Sequence, residues 1–464
     1  MNILWGLVGM LGLLAIAVLF STNRRAIKPR IVVAALALQV GFGVLVLFVP
    51  PGRAALAAAA GAVQAVIDSS RAGIGFLFGP LIPENGVIFA FQVLPVIVFF
   101  ASLMSVLYHL GWLQKVVQVI GGALSWLIGT ERIVSVNAAA NIFVGQTEAP
   151  LVIRPYIKGL SRSGLFAVMV GGLSTVAGSV LVGYSLLGAS LDYLIAAAFM
   201  AAPGALLMAS IMVPEDGTMN CDKPEGKKGW FGRGSKSSQA QAEAEAGTAA
   251  AGSRGATTAV RDEEADAVAD SDPEANPEAK SPEETTEEEL DAVKHRNLID
   301  AAAAGASDGM MLALNIGAML LAFISLIALL NLLLGGVAGW FGYGDLTFET
   351  ILGYLFAPIM AMIGVPWGEA VSAGTFVGQK IVLNEFVAFS QFGPVVDTFT
   401  PKTAAIITFA LTGFANLGSL GILLGGLGGL APTRRSDIAA LGMRAVLAGT
   451  LANLMSAAIA GMLT

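Results

Sequence analysis

Residues 370–401 read AVSAGTFVGQKIVLNEFVAFSQFGPVVDTFTP. The stretch is apolar enough for a membrane, yet Asn384-Glu385 breaks it and Thr400-Pro401 ends it. A carboxylate at bilayer depth costs about 2.5–3.5 kcal/mol on insertion scales, so it persists only if paired, hydrated or used. One spanning helix of ~20 apolar residues does not fit this pattern. Two short helices meeting at an irregular tip do fit, as a re-entrant hairpin whose tip is buried in protein or lines a wet cavity. Residues 132–162 have the same character, apolar arms broken by Gly145-Gln146-Thr147-Glu148-Ala149-Pro150.

The two stretches are related. Val144-Gly145-Gln146-Thr147 recurs as Val377-Gly378-Gln379-Lys380. Downstream of Glu148 comes the small, polar run Ser174-Thr175-Val176-Ala177-Gly178-Ser179, and downstream of Glu385 comes Gly413-Phe414-Ala415-Asn416-Leu417-Gly418-Ser419. Both runs fall where a span would otherwise be continuous, so both predict a broken helix. Duplicated hairpins and broken helices in opposite orientations are the pattern of secondary transporters, whose sites lie near the bilayer midplane at the repeat interface.

Composition sets the frame around this repeat. Of 464 residues, 55% are hydrophobic and 13% charged, about half the ~25% of soluble domains. Mean hydropathy is +0.75. A soluble enzyme or binding module is excluded. The single cysteine, Cys221, rules out an intrachain disulfide, and two histidines, His109 and His295, are too few for a His-based metal site. Basic residues are scattered or interfacial, with no nucleic-acid footprint. The net charge of −7 belongs to one segment: residues 215–296 hold 20 of the 33 acidic and 10 of the 26 basic residues. The rest of the chain is slightly basic. That segment, with runs such as QAQAEAEAGTAAAG and SPEETTEEEL, is too poor in large apolar residues to offset chain entropy and is expected to be disordered.

Eight spans are expected, at about 3–20, 31–50, 87–108, 165–190, 192–213, 304–335, 403–428 and 436–462. The first is not read as a cleavable signal, since Arg24 and Arg25 follow it rather than precede it. Positive-inside counting places the 21–30 loop, with Arg24, Arg25, Lys28 and Arg30, in the cytoplasm, and 336–369, without Lys or Arg, outside. Both termini then lie in the periplasm and the 215–296 insert in the cytoplasm. The discordant stretch is 51–86, which should lie outside yet carries Arg53 and Arg71. The expected fold is an all-α polytopic membrane protein in the lipid bilayer: eight transmembrane helices plus two re-entrant helical hairpins in an inverted repeat, with interfacial helices.

Glu148 and Glu385 stand out as site residues because both occupy helix breaks in matching places. The structural alternative is a pair with a nearby base such as Lys380. Gln146, Thr147 and Glu148 together offer an amide, a hydroxyl and a carboxylate to a polar heterocycle, and such sets discriminate strongly against analogues lacking the matching group. Asn416 and Ser419, three apart on one helix face, could join Glu385 in binding a polyhydroxyl group, or serve only as helix–helix contacts. Asn141 and Thr175, with carbonyls freed at the breaks by Val144 and Val176, form an oxygen set suited to a hard cation.

The motifs Gly145-Gln146-Thr147-Glu148-Ala149-Pro150-Leu151, Gly378-Gln379-Lys380-Ile381-Val382-Leu383-Asn384-Glu385-Phe386-Val387-Ala388-Phe389 and Gly413-Phe414-Ala415-Asn416 with Ser419 resemble those of the concentrative nucleoside transporters. The resemblance covers the chain apart from 215–296; the family usually has Tyr where Phe389 stands. It implies that Gln146, Thr147 and Glu148 hold the nucleobase, that Val180 packs on it, and that Glu385, Asn416 and Ser419 hold the ribose with Phe414 beside them. It implies a sodium site at Asn141, Val144, Thr175 and Val176, with Thr175 where the family has Ser. It implies a homotrimer in which a hairpin-bearing domain moves, elevator-like, against a scaffold. The domain reading is scaffold helices at 1–110, transport repeat 1 at 111–214, the insert at 215–296, a long scaffold helix at 297–345 and transport repeat 2 at 346–464. The expected function is sodium-driven nucleoside symport into the cell across a bacterial inner membrane, with sodium as coupling ion and no other cofactor. A proton-coupled symporter and a non-transporting nucleoside-sensing scaffold are the alternatives.

Overall fold

In lipid, backbone polar groups must be satisfied within the segment, so long runs of Leu, Ala, Met and Gly resolve as helices. The computed structural model describes residues 2–82, 88–215 and 296–464, and every regular element among them is helical. The acidic insert, apart from its ends Glu215 and Arg296, lies outside the described residues.

In chain order the helices are α1 (Asn2–Leu19), α2 (Pro29–Gly43, prolonged by a π turn Val44–Phe48), α3 (Pro50–Phe78), α4 (Leu94–His109), α5 (Trp112–Ile128), α6 (Arg132–Ala140), α7 (Arg154–Ile157), α8 (Arg162–Ser174), α9 (Gly178–Leu186) and α10 (Leu191–Met212). After the insert come α11 (Leu298–Gly339), α12 (Phe348–Met362), α13 (Trp367–Val382), α14 (Glu385–Phe392), α15 (Pro401–Leu411), α16 (Leu417–Leu430) and α17 (Arg435–Leu463). The same order occurs twice: an apolar helix (α5, α12), a hairpin (α6–α7, α13–α14), a broken helix (α8–α9, α15–α16) and an unbroken one (α10, α17).

Among the described residues, six helical stretches are long and apolar enough to cross a bilayer: Pro29–Phe48, Phe89–His109, Arg162–Leu186, Leu191–Met212, Leu298–Gly339 and Pro432–Leu463. The two other expected spans take shorter forms. The first is the 18-residue α1. The 403–428 span is divided between α15 and α16 at residues 412–416. Between α12 and α13 the chain bends by 118°, so the second hairpin leaves its preceding helix at a sharp angle.

Helix α3 accounts for the discordant 51–86 stretch. It buries Gly52, Leu56, Ala60, Ile67, Ser70 and Ile74, one stripe at helical spacing, and exposes an Asp68–Arg71 ion pair (3.1 Å) beside that stripe. Its charged face and alanine content keep its hydropathy below that of a span. In the first hairpin the descending arm is a 3₁₀ turn, Ala149–Ile153, followed by the single turn α7, where two short helices were expected. Pro150 and Pro155 each lack an amide donor, which denies that arm a regular α ladder.

Helix α17 is the central post, buried nearly all round from Ala448 to Gly461 and packed against α1, α8, α10 and α15. Helix α11 spans about 63 Å at 1.5 Å per residue, twice a ~30 Å hydrocarbon core. It packs along α4 through Gly305 and Gly309, where a Cβ would lie 2.5 Å from Ser105 Cβ and 2.7 Å from Ala101 Cβ. Small residues four apart let two backbones approach this closely. The opposite face of α11 presents Leu314 and Leu321 outward.

Candidate functional site

The two hairpin tips and the two helix breaks converge. At the first tip, Val144 N–H donates to Ala140 O (3.0 Å) and Ala149 N–H to Gly145 O (3.0 Å), while the Gly145 N–H donates to the Glu148 carboxylate. Gly178 N–H donates to Phe143 O (3.1 Å), which joins the tip to the start of α9. The breaks also touch each other, Phe414 N–H donating to Thr175 O (3.2 Å).

At the second tip Glu385 is buried and doubly held. The Tyr184 hydroxyl donates to Oε1 (2.9 Å) and the Asn416 amide to Oε2 (2.8 Å). Asn384 caps α14 by accepting from Val387 N–H (2.9 Å), and Asn416 caps α16 by accepting from Ser419 N–H (2.6 Å). This corrects the sequence reading of the Asn416–Ser419 spacing. The two do not share a helix face; Asn416 is the residue before the helix, and the three-residue interval is that of a cap to its third residue. Two helix N-termini, each carrying a partial positive charge, thus flank a carboxylate. Tyr184 is fixed by stacking on Phe389 (ring centroids 4.4 Å, 23°) and by an edge contact with Phe386 (4.8 Å).

Between the tips lies a cavity of about 280 Å³. All eight residues expected to bind substrate line it: Gln146, Thr147, Glu148, Val180, Glu385, Phe414, Asn416 and Ser419. Its size is near the lower end of the ~300–1,000 Å³ of small-ligand pockets. The Gln146 Oε1 is buried and accepts no hydrogen bond from the described residues, which leaves an acceptor free for a ligand.

The four residues expected to bind a cation sit behind the first tip. Asn141 and Thr175 are buried. Asn141 Nδ2 donates to Asn137 O (2.9 Å), whereas its Oδ1 is buried and has no partner among the described residues. Thr175 Oγ1 donates to Gly171 O (2.8 Å), which leaves its lone pairs available. No backbone N–H among the described residues donates to the carbonyls of Val144 or Val176. The donor set is all oxygen and includes a buried orphan acceptor, a chemistry that fits a hard cation.

Sequence reading missed several participants. Leu312, Asn315, Ile316 and Met319 of α11 line the cavity, although that helix was assigned a scaffold role. Their i, i+3, i+4, i+7 spacing is one helix stripe, and Asn315 and Ser325 are the only polar side chains between Met310 and Leu330, a signal that was readable. Tyr184 and Asn453 carried no signal, since a lone Tyr or Asn in a membrane helix reads equally well as packing.

Comparison with known proteins places this architecture. A family model described as the Na+ dependent nucleoside transporter N-terminus matches residues 8–81, one described as nucleoside recognition matches 90–191, and the Na+ dependent nucleoside transporter C-terminus matches 271–461. The "Uncharacterized transporter YutK" of Bacillus subtilis is 49% identical over the whole of both chains. The "Nucleoside permease NupC" of Helicobacter pylori is 43% identical over 99% of this chain and 97% of that one. A solved structure, "CNTnw in an inward-facing substrate-bound state", matches with a TM-score of 0.82 at 46% identity, covering 100% of this chain and 98% of the other. These relatives are transporters and permeases, not enzymes, and the chain belongs to the concentrative, Na+-dependent nucleoside transporter family.

Proposed function

We propose that this protein imports nucleosides by symport with sodium across a bacterial inner membrane. The observation that carries the reading is the cavity between the tips, in which an amide, two carboxylates, a capping asparagine and a serine face apolar Val180 and Phe414. Gln146, Thr147 and Glu148 bind the polar edge of the base, against which Val180 packs. Glu385, Asn416 and Ser419 bind the ribose hydroxyls, with Phe414 alongside. No bond is made or broken, so the work is done by the ion gradient. An interior-negative potential favours entry of each positive charge by about 2.3 kcal/mol per 100 mV.

Asn141, Thr175 and the Val144 and Val176 carbonyls hold the sodium ion as co-substrate. Asn141 precedes the tip and Val144 lies two residues before Gln146, so filling this set orders the loop that presents Gln146, Thr147 and Glu148. Nucleoside and ion then favour each other's binding, as linkage requires. The wall contributed by α11 belongs to a scaffold past which the hairpins move, in a homotrimer with both termini periplasmic and the insert cytoplasmic.

Uridine uptake into proteoliposomes, at fixed pH with sodium or choline outside, tests the reading. Sodium is expected to lower the KM for uridine, and Asn141→Ala to remove most of that dependence. Uptake indifferent to sodium but driven by a proton gradient would assign the coupling to protons instead. Absence of nucleoside uptake under either gradient would leave a sensing role.

A further inference from the structure

Lys380 is fully buried, and its ammonium has two hydrogen-bond acceptors: Ala410 O at 2.7 Å and Asn453 Oδ1 at 2.8 Å. Ala410 lies in the last turn of α15, where the final carbonyls of a helix have no intrahelical donor and carry its partial negative charge. Asn453 is oriented for this contact, because its Nδ2 already donates to Ser174 O (2.7 Å) and Thr412 O (2.8 Å), which leaves Oδ1 for Lys380. The chain is shaped to admit it. Gly413 has φ +156, and a Cβ there would lie 2.2 Å from Asn453 Oδ1. Glu385, on the same hairpin, interacts electrostatically with the ammonium.

The first repeat meets the same structural problem with other means. Helix α8 ends at Ser174 and α15 at Leu411, and the next residue of each, Thr175 and Thr412, donates its hydroxyl back four residues, to Gly171 O (2.8 Å) and Thr408 O (2.7 Å). The two carbonyl ends therefore correspond. The sequence motif recurs in both hairpins, Val144-Gly145-Gln146-Thr147 in the first tip and Val377-Gly378-Gln379-Lys380 in the last turns of α13, so the second copy sits on the helix that leads into its tip. Behind α8 the polar set is the oxygen cluster around the orphan Asn141 Oδ1; behind α15 it is an amino group carried by the chain.

We propose that Lys380 is a tethered cation that occupies, in the second repeat, the place that a free cation takes in the first. It binds the carbonyl end of α15 and so docks the second hairpin, with Glu385, against the second broken helix without any ion from solution. The first hairpin docks only when its cation is present. Lys380 is thus a positioning residue, acting on the substrate through Glu385. The comparison between repeats rests on the sodium reading above; the contacts of Lys380 do not.

Chemical rescue tests this. Lys380→Ala removes the amine and leaves room for a small one, whereas Lys380→Met fills the stem without charge. In the full-length Ala chain, methylammonium is expected to raise the unfolding temperature saturably by about 2–4 °C, by mass action on the folded state. It should also lower a uridine KM that has risen at least ~10-fold, as loss of a charge-assisted hydrogen bond implies. Wild-type and Lys380→Met chains should respond to methylammonium no more than to choline. Thermal unfolding needs neither nucleoside nor sodium, so failure of the transport assignment and failure of this inference are separate results. The inference is overturned if the Ala chain transports uridine with KM and rate within about threefold of wild type without amine, or if it is folded and impaired but unmoved by methylammonium. An equal response of the Met chain overturns it too. If the Ala chain is monodisperse only when prepared in methylammonium, the inference stands; if it aggregates in both buffers, the inference fails.

Discussion

Asn416 performs two separable jobs, and two substitutions tell them apart. Its Oδ1 caps α16 through the Ser419 N–H, and its Nδ2 donates to Glu385 Oε2 at 2.8 Å. Loss of an N-cap costs about 1 kcal/mol. Loss of a donor to a buried charged group costs about 1.5–3 kcal/mol. Asn416→Ala loses both, roughly 2.5–4 kcal/mol in sum. Asn416→Ser keeps a capping oxygen of nearly equal rank but is too short to reach Glu385, and so loses only the second. At about 2 °C per kcal/mol, the lower end of the scaling with chain length, unfolding temperatures should fall by about 5–8 °C for Ala and 3–6 °C for Ser. Uridine KM depends on the shared defect. Both variants remove one of the two side-chain hydrogen bonds to the Glu385 carboxylate and leave that from Tyr184, so both should raise KM at least ~10-fold, the equivalent of about 1.4 kcal/mol. The measurements are thermal unfolding of purified protein at one scan rate and initial uptake rates in proteoliposomes. A Ser variant with KM within twofold of wild type would refute the pairing of this amide with Glu385 as a binding device. Equal unfolding temperatures for Ala and Ser would refute the cap.

Two further outcomes follow from the geometry. Gly413→Ala forces a side chain into a backbone conformation it rarely adopts and into Asn453 Oδ1; strain and overpacking together should cost ~3 kcal/mol or more, read as a lowered unfolding temperature and reduced monodisperse yield. Deletion of 216–294, which lies outside the transport motifs, should leave uridine KM and maximal rate within about twofold, since an apolar-poor acidic segment adds little packing; a chain silenced by the deletion would make the insert part of the machinery.

Much of this architecture is legible in the sequence because membrane folding leaves few alternatives. Apolar runs of 20 residues become helices, and a carboxylate inside such a run demands an explanation, which is how Glu148 and Glu385 mark the two tips. What was not legible depends on which atoms meet. The interval from Asn416 to Ser419 reads equally as a helix face or a cap; only the extended backbone of Asn416 (φ −144, ψ 169) decides for the cap. Helix α3 is hard to read because its stripe mixes Gly52, Ala60 and Ser70 with Leu56, Ile67 and Ile74 beside charged residues, which lowers its hydropathy below that of a span. The first hairpin's second arm was drawn as a helix because apolar content dominates the reading of Leu151–Ile157, while Pro150 and Pro155 determine the backbone.

The internal duplication explains both the success and the limit of sequence reading here. A repeat makes matching positions visible, so Glu148 and Glu385 can be paired from the sequence. Yet the repeats match in framework and differ in chemistry. Thr147 lines the cavity at the first tip, while Lys380, in the recurring motif on α13, reaches the end of α15. Glu148 is satisfied by its own tip through Gly145, while Glu385 is satisfied by two other helices, α9 through Tyr184 and the cap of α16 through Asn416. The Glu148 carboxylate is thus held within its own tip, which is joined to α9 by the Gly178 N–H to Phe143 O bond. The second tip is stitched into the core by Lys380, Tyr184, Asn416 and Asn453. A duplicated hairpin with unequal anchoring suits the proposed coupling, in which one part of the site is conditional on an ion and another part stays put.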